Sequence, residues 1–226
     1  MLKHIFFSLL LLPSIASAEE LSTLPHLNLT ATGINAQGYI EPKYAYCVPD
    51  AVKHSRDGQN YNIGLKWSGA PEKTASYAII AIDNDVPADF SHANKSGETI
   101  ALDAKRRPFY HWVMFDIPVT TTGIAPGEES SSTAIKAIGA TPIGVRGIND
   151  FYSPIAIHGG YDGPCPPWND ARVHNYHFRV YALNVPSLSN SGKITGEEAY
   201  KLIKSHILAE GEVSGKYTMN PALIGK

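Results

Sequence analysis

The side chains of this 226-residue chain that could do chemistry gather in four short stretches. Asp83-Asn84-Asp85-Val86-Pro87 carries two carboxyl groups at i and i+2, and Phe109-Tyr110-His111-Trp112 places an imidazole at the head of an apolar run. Gly160-Tyr161-Asp162-Gly163-Pro164-Cys165-Pro166-Pro167-Trp168 is stiffened by glycine and proline and holds one sulfur; His174-Asn175-Tyr176-His177-Phe178 spaces an imidazole and a phenol by two. On an extended backbone residues two apart share a face, so Asp83 neighbours Asp85, and His174 neighbours Tyr176. Two carboxylates so placed ligate a metal or orient two donors. Imidazoles, a phenolic hydroxyl and the N–H groups of a glycine-containing turn are donors that converge on an oxyanion. Asp83 beside a histidine orients the ring and favours its charged form. No Lys or Arg stands within these stretches. The expected chemistry is therefore weak anion binding that strengthens as pH falls through the range near 6.5, where histidine gains its proton. Plainer readings stay open at this point: aspartates capping a turn, and a core histidine bonded to backbone.

Strands must position these groups. Tyr77-Ala78-Ile79-Ile80-Ala81-Ile82 is a continuous apolar run of strand length, as in a central strand covered on both faces. His111 to Ile117 and Tyr176 to Val185 read the same way or alternate, and the segments between them are rich in turn-forming Pro, Gly, Asn and Asp. Late in the chain Thr195-Gly196-Glu197-Glu198 is a capping box, which opens a helix with Leu202, Ile203 and Ile207 as its apolar stripe. Gly211 is expected to stop that helix, and Val213 to Met219 to return as a last strand. The architecture expected is mostly antiparallel β, with one or two peripheral helices.

The first eighteen residues read as a leader. Lys3 supplies the basic start, Ile5 to Leu12 the apolar core, and Ala16-Ser17-Ala18 the cleavage site of a secretory signal. That core is too short to span a bilayer. Residues 1–18 are thus expected to be removed, leaving 19–226 as one exported domain, periplasmic or secreted. Loss of Lys3 moves the formal balance from 19 minus 21 to 18 minus 21, or −3. A weakly acidic chain is a poor binder of phosphate backbones, which argues against nucleic acid as a partner. Cys47 and Cys165 are the two cysteines, and in an oxidising compartment the expectation is a bond between them. The competing reading, a reactive thiol, stays open.

In their order these motifs resemble the phosphatidylethanolamine-binding proteins: Asp83-x-Asp85-x-Pro87, His111-Trp112-Val113, Gly147-Ile148-Asn149-Asp150-Phe151, Tyr161-x-Gly163-Pro164-x-Pro166-Pro167 and His174-x-Tyr176. More narrowly the chain is similar to the bacterial Raf-kinase-inhibitor-like branch, from about Tyr39 to the ending His206 to Glu210 and Gly215-x-Tyr217. The resemblance implies a large antiparallel sheet packed on a smaller one, with helices at the chain ends. It also implies a shallow site for a phosphate-like anion, such as a phospholipid headgroup or a phosphorylated side chain. Carried over by position, that site contains Asp83, Asp85, Val86 and His111, with Gly163, Pro164, Cys165 and Pro166 on its rim and His174 and Tyr176 on its wall. Relatives with a cysteine near Cys47 and another in the G-P-C-P-P loop resemble the chain best, which supports the Cys47–Cys165 bond.

Two departures stand out. Asn84 replaces a usual proline, and Asn175 replaces a usual arginine, whose loss reads as costing a structural ion pair more than a ligand contact. Lys105-Arg106-Arg107 lies in a long insertion and is either a positive lip to the pocket or a solvated loop. An exported binding or regulatory module is the function expected, with no cofactor and no metal assigned. A phosphoester hydrolase or metal-dependent enzyme using the His/Asp pocket is the alternative, although no H-E-x-x-H, G-x-S-x-G or P-loop sequence is present. A kinase or protease inhibitor acting through a protein partner is the third. The oligomeric state is open.

Overall fold

The computed structural model describes residues 24–152, 156–189 and 191–224. The expected leader, 1–18, and its cleavage point near Ala18 lie outside the described residues.

Strands make up most of the regular secondary structure. The first four are β1 (Asn28–Thr32), β2 (Cys47–Asp50), β3 (His54–Asp57) and β4 (Gly64–Ser68). Two long strands follow, β5 (Ser76–Pro87) and β6 (Arg106–Pro118), then the short β7 (Gly123–Ile124), β8 (Gly139–Thr141) and β9 (Gly144–Arg146). The last are β10 (Ile148–Tyr152), β11 (Ile157–Tyr161), β12 (His174–Leu183) and β13 (Ile207–Tyr217), with helix α1 (Gly196–Ile203) before β13. The large sheet runs β10-β11-β6-β5-β12-β13, with β9 and β8 attached beside β6; a smaller sheet runs β1-β4-β7, and β2 pairs with β3. Every paired strand in these sheets is antiparallel.

The apolar run Tyr77 to Ile82 is central because both its faces are covered. Tyr77, Ile79 and Ala81 pack with Trp112, Met114, Phe178 and Val180 against Leu65, Trp67 and Ile124 of the smaller sheet. Ala78 and Ile80 point the other way, onto a second core of Val113, Phe115, Tyr181 and Leu183 that Ala199 and Ile203 of α1 close. Alternation with period two thus feeds two cores from one strand.

The capping box forms as read: Thr195 Oγ1 accepts from the Glu198 N–H at 3.4 Å, and Glu198 Oε2 accepts from the Thr195 N–H at 2.8 Å. The rest of that reading is corrected. The helix ends at Ile203, Leu202 is 42% exposed, and Ile207 already belongs to β13. Gly211 is not a helix stop; it lies mid-strand opposite Val180. A Cβ there would come within 2.9 Å of the Leu27 carbonyl oxygen, so the glycine answers a close backbone approach.

Candidate functional site

Three adjacent strands of the large sheet bring the sequence motifs together. Asp83 on β5 lies across the ladder from Phe109 on β6 and from Tyr176 on β12. Above this row is a hollow of about 170 Å³, lined by Asp83, Val86, His111, His174, Tyr176, Cys165 and Pro166, with Pro167 and the rings of Phe90, Phe109 and Phe151. At about 30 Å³ per water it holds about six waters, the scale of a headgroup and below that of a drug-sized ligand.

The rim stands where it does because β2 holds it. Cys47 and Cys165 are joined by a disulfide, and the Cys47 N–H donates to the Pro164 carbonyl at 3.1 Å. Gly163 donates its N–H to Asn60 Oδ1 at 2.8 Å, and a Cβ there would run into the Tyr44 carbonyl oxygen at 2.1 Å. Gly163 and Pro164 therefore support the rim from behind and do not line the hollow. Pro164, Pro166 and Pro167 have no N–H, and that of Gly163 is engaged, so these four residues bring no backbone donor to the hollow.

The two histidines have opposite surroundings. His174 is fully buried; its Nδ1–H donates to Asp83 Oδ2 at 2.7 Å and its Nε2–H to Asp170 Oδ2 at 3.1 Å. Burial alone would favour the neutral ring, but the bonds and charges of Asp170 and Asp83 outweigh it and push the pKa up to about 9. Arg106 grips Asp170 from the other side with two bonds, at 2.5 and 3.0 Å. Burial opposes the charged form of Asp170 as well, yet His174 and Arg106 hold its carboxyl below the usual range. Asp83 is equally occupied, since it also accepts from the Asp85 N–H at 2.7 Å. Burial first, then the Asp83 charge, raise the Tyr176 phenol, which stays a neutral O–H.

His111 is 4% exposed, and its Nδ1 meets the Asp162 carbonyl oxygen at 2.8 Å. A carbonyl only accepts, so Nδ1 carries the hydrogen and Nε2 is left as a lone pair in the neutral ring. Nε2 has no hydrogen-bond partner among the described residues. Burial lowers the His111 pKa below 6.5, against the opposing pull of Asp83, Asp162 and Asp150. The Asp162 carboxylate that anchors this arrangement is itself fully buried and accepts from Asn60, Lys136, Asn149 and His158 at 2.8 to 2.9 Å.

Asp85 stands elsewhere than the sequence spacing placed it. The β5–β6 ladder shifts register between Asp83 and Val86, which breaks the alternation that would keep the two acids on one side. Val86 turns into the hollow, while Asp85 accepts from Arg172 at 3.0 Å and from the N–H and side chain of Asn175 at 3.0 and 3.1 Å. Burial opposes its charge, but Arg172 and Asn175 prevail and lower its pKa. Asp85 thus takes its cation from Arg172, three residues before Asn175. No group of three or more His, Cys, Asp or Glu placed to hold a metal occurs among the described residues.

Sequence reasoning passed over Asp170, Asp162 and the ring of Phe90. The signal for Asp170 was its position four residues before His174; Asp162 sat inside a loop read for its glycines and prolines.

A β-rich fold of a large and a smaller antiparallel sheet, with a shallow hollow at the ends of its central strands, defines the class. The chain matches the family model of the phosphatidylethanolamine-binding protein over residues 30–218, and it belongs to that family. It is 31% identical over 192 residues to a UPF0098 protein of Methanothermobacter thermautotrophicus, covering 84% of this chain and 98% of that one. It is 29% identical to the UPF0098 protein YbcL of Escherichia coli, over 71% of this chain and 73% of the relative. The crystal structure of YbcL, described as a new member of the mammalian family, shares the fold with a TM-score of 0.62, covering 85% of this chain and 98% of that one at 23% identity. A homologue from Chlamydia trachomatis gives a TM-score of 0.51 at 25% identity, over 84% and 96% of the two chains.

Proposed function

We propose that this chain is an exported binding module whose hollow takes a small phosphate-like anion, free or as a phospholipid headgroup, and holds it without transforming it. The observation that carries the reading is the single open valence of His111. With Nδ1–H fixed on the Asp162 carbonyl, Nε2 accepts when the ring is neutral and donates once the ring is protonated. A phosphate monoester that keeps one O–H bonds the neutral ring; its dianion bonds the protonated one.

Because burial lowers the His111 pKa, the donor form appears below 6.5, and anion affinity rises as pH falls through that lower range. This shifts the expected window from 6.5 downward and assigns it to His111 alone, since His174 is already charged. The charged and titratable groups around His111 are Asp83 on β5, Asp150 on β10, Asp162 in the rim, and Tyr176 and His174 on β12.

Holding is favoured over catalysis by occupancy. His174 has no ring nitrogen left to exchange a proton with a ligand, and both sulfurs are oxidised. The disulfide also fits an oxidising compartment, in line with the leader read in residues 1–18. The reading is tested by titrating the protein with inorganic phosphate at about pH 5 and about pH 8. Tighter binding at the lower pH is expected, and equal affinity at both sinks it.

A further inference from the structure

Arg107, Phe109 and His111 occupy alternate positions of β6, and Phe109 and His111 line the hollow. Side chains two apart on a strand share a face and are spaced by about 7 Å, so Arg107 is the next step outward along the same row. Val86, directly across the ladder from Arg107, lines the hollow too. The Arg107 guanidinium carbon lies 5.7 Å from the ring centroid of Phe90 and 5.6 Å from that of Phe109, within cation–π range of two rings that wall the mouth.

Its charge is not consumed there. Its hydrogen bond goes to the Pro108 carbonyl at 3.3 Å, and no carboxylate pairs with it among the described residues; it acts on Asp150 only through space. The neighbouring cations differ. Arg106 is bound twice to Asp170 and Arg172 is bound to Asp85. Of the Lys105-Arg106-Arg107 run, Arg106 is therefore spent on Asp170, and Arg107 keeps its charge beside two rings that line the hollow.

We propose that Arg107 is a ligand anchor: its guanidinium, steadied over Phe90 and Phe109, binds from the mouth the phosphate group that His111 meets from the floor. This rests on the reading of the hollow as an anion site and adds the permanent charge that site otherwise lacks when His111 is neutral. Chemically the ligand class is a phosphate group, carried by inorganic phosphate, a monoester or a phosphodiester headgroup, small enough to sit between the guanidinium and the imidazole.

The experiment titrates wild type, Arg107→Gln, Arg107→Lys and His111→Gln with inorganic phosphate at about pH 5 and about pH 8. Arg107→Gln is expected to weaken binding about fivefold at both pH values, the size of an exposed ion pair, while keeping the pH dependence. Arg107→Lys restores most of the loss, and added salt removes the difference. His111→Gln removes the part of the pH dependence that belongs to the ring, leaves the part that comes from phosphate's own second ionisation, and keeps the Arg107 contribution. Arg107→Gln binding as tightly as wild type at the higher pH overturns the anchor and leaves the hollow standing; wild type binding no phosphate at either pH overturns both. Repeating the series with phosphoethanolamine in solution and with phosphatidylethanolamine vesicles separates the sources. A loss confined to soluble ligands assigns the anchor to free phosphate esters, and a loss confined to vesicles assigns it to the lipid headgroup.

Discussion

His174 and His111 flank β5 from either side, share the same hollow, and read alike in the sequence as donors for an anion. They differ in how many of their nitrogens are already engaged. His174 is an imidazolium closed between two carboxylates and backed by Arg106; it is a strut. His111 is a neutral ring with one nitrogen pinned to a carbonyl and the other open. Occupancy, more than residue type, separates the part that holds the site together from the part that meets a ligand. Tyr176 falls on the strut side, because its phenol is buried beside the Asp83 carboxylate and stays protonated.

The comparison breaks most visibly in stability. His174→Ala leaves Asp83 and Asp170 buried without their shared cation, and is expected to destabilise the fold by about 3–5 kcal/mol in urea unfolding. His111→Gln removes one bond to a carbonyl and is expected to destabilise by about 0.5–1.5 kcal/mol. Equal losses would erase the distinction. Next in size is the disulfide, which closes a loop across 118 residues; its reduction should lower stability by about 2–5 kcal/mol. Since Cys165 lines the hollow, reduction should also weaken phosphate binding while leaving the His174 titration in place.

A smaller effect is the pH profile. The folded pKa of His174, about 9, lies above its ordinary 6.5, so its contribution is fully present below 6.5 and is lost as pH rises through 9. Unfolding midpoints measured from neutral to alkaline pH should fall across that window in wild type and lack this component in His174→Asn. The smallest expected change is Asp85→Asn, which removes a partly buried ion pair outside the hollow and keeps an oxygen for the Asn175 N–H. About 1 kcal/mol or less in stability, with phosphate affinity unchanged, is the outcome that keeps Asp85 off the site.

Much of this fold could be read from the residues. Tyr77 to Ile82 announced a strand covered twice, the order of the motifs implied the sheet arrangement, and two lone cysteines proved to be bonded. The site was legible as a set of residues but not as a circuit. Asp85 left the set because a register shift in β5, invisible to a period-two reading, turned it outward. The donor count failed because the partners that occupy His174 and Asp83 come from positions with no shared periodicity, Asp170 on a loop and the N–H of Asp85 on the same strand. Likewise Ile207 looked like one more turn of helix until β13 claimed it for pairing with Leu183.

The most direct test of the account follows the two imidazoles by nitrogen NMR across pH, with and without inorganic phosphate. It predicts that His174 stays doubly protonated up to about pH 9 and does not respond to phosphate. His111 should keep its hydrogen on Nδ1, titrate below 6.5, and shift its midpoint upward when phosphate is added. A His174 that titrates near 6.5 and moves with phosphate, beside a silent His111, would contradict it.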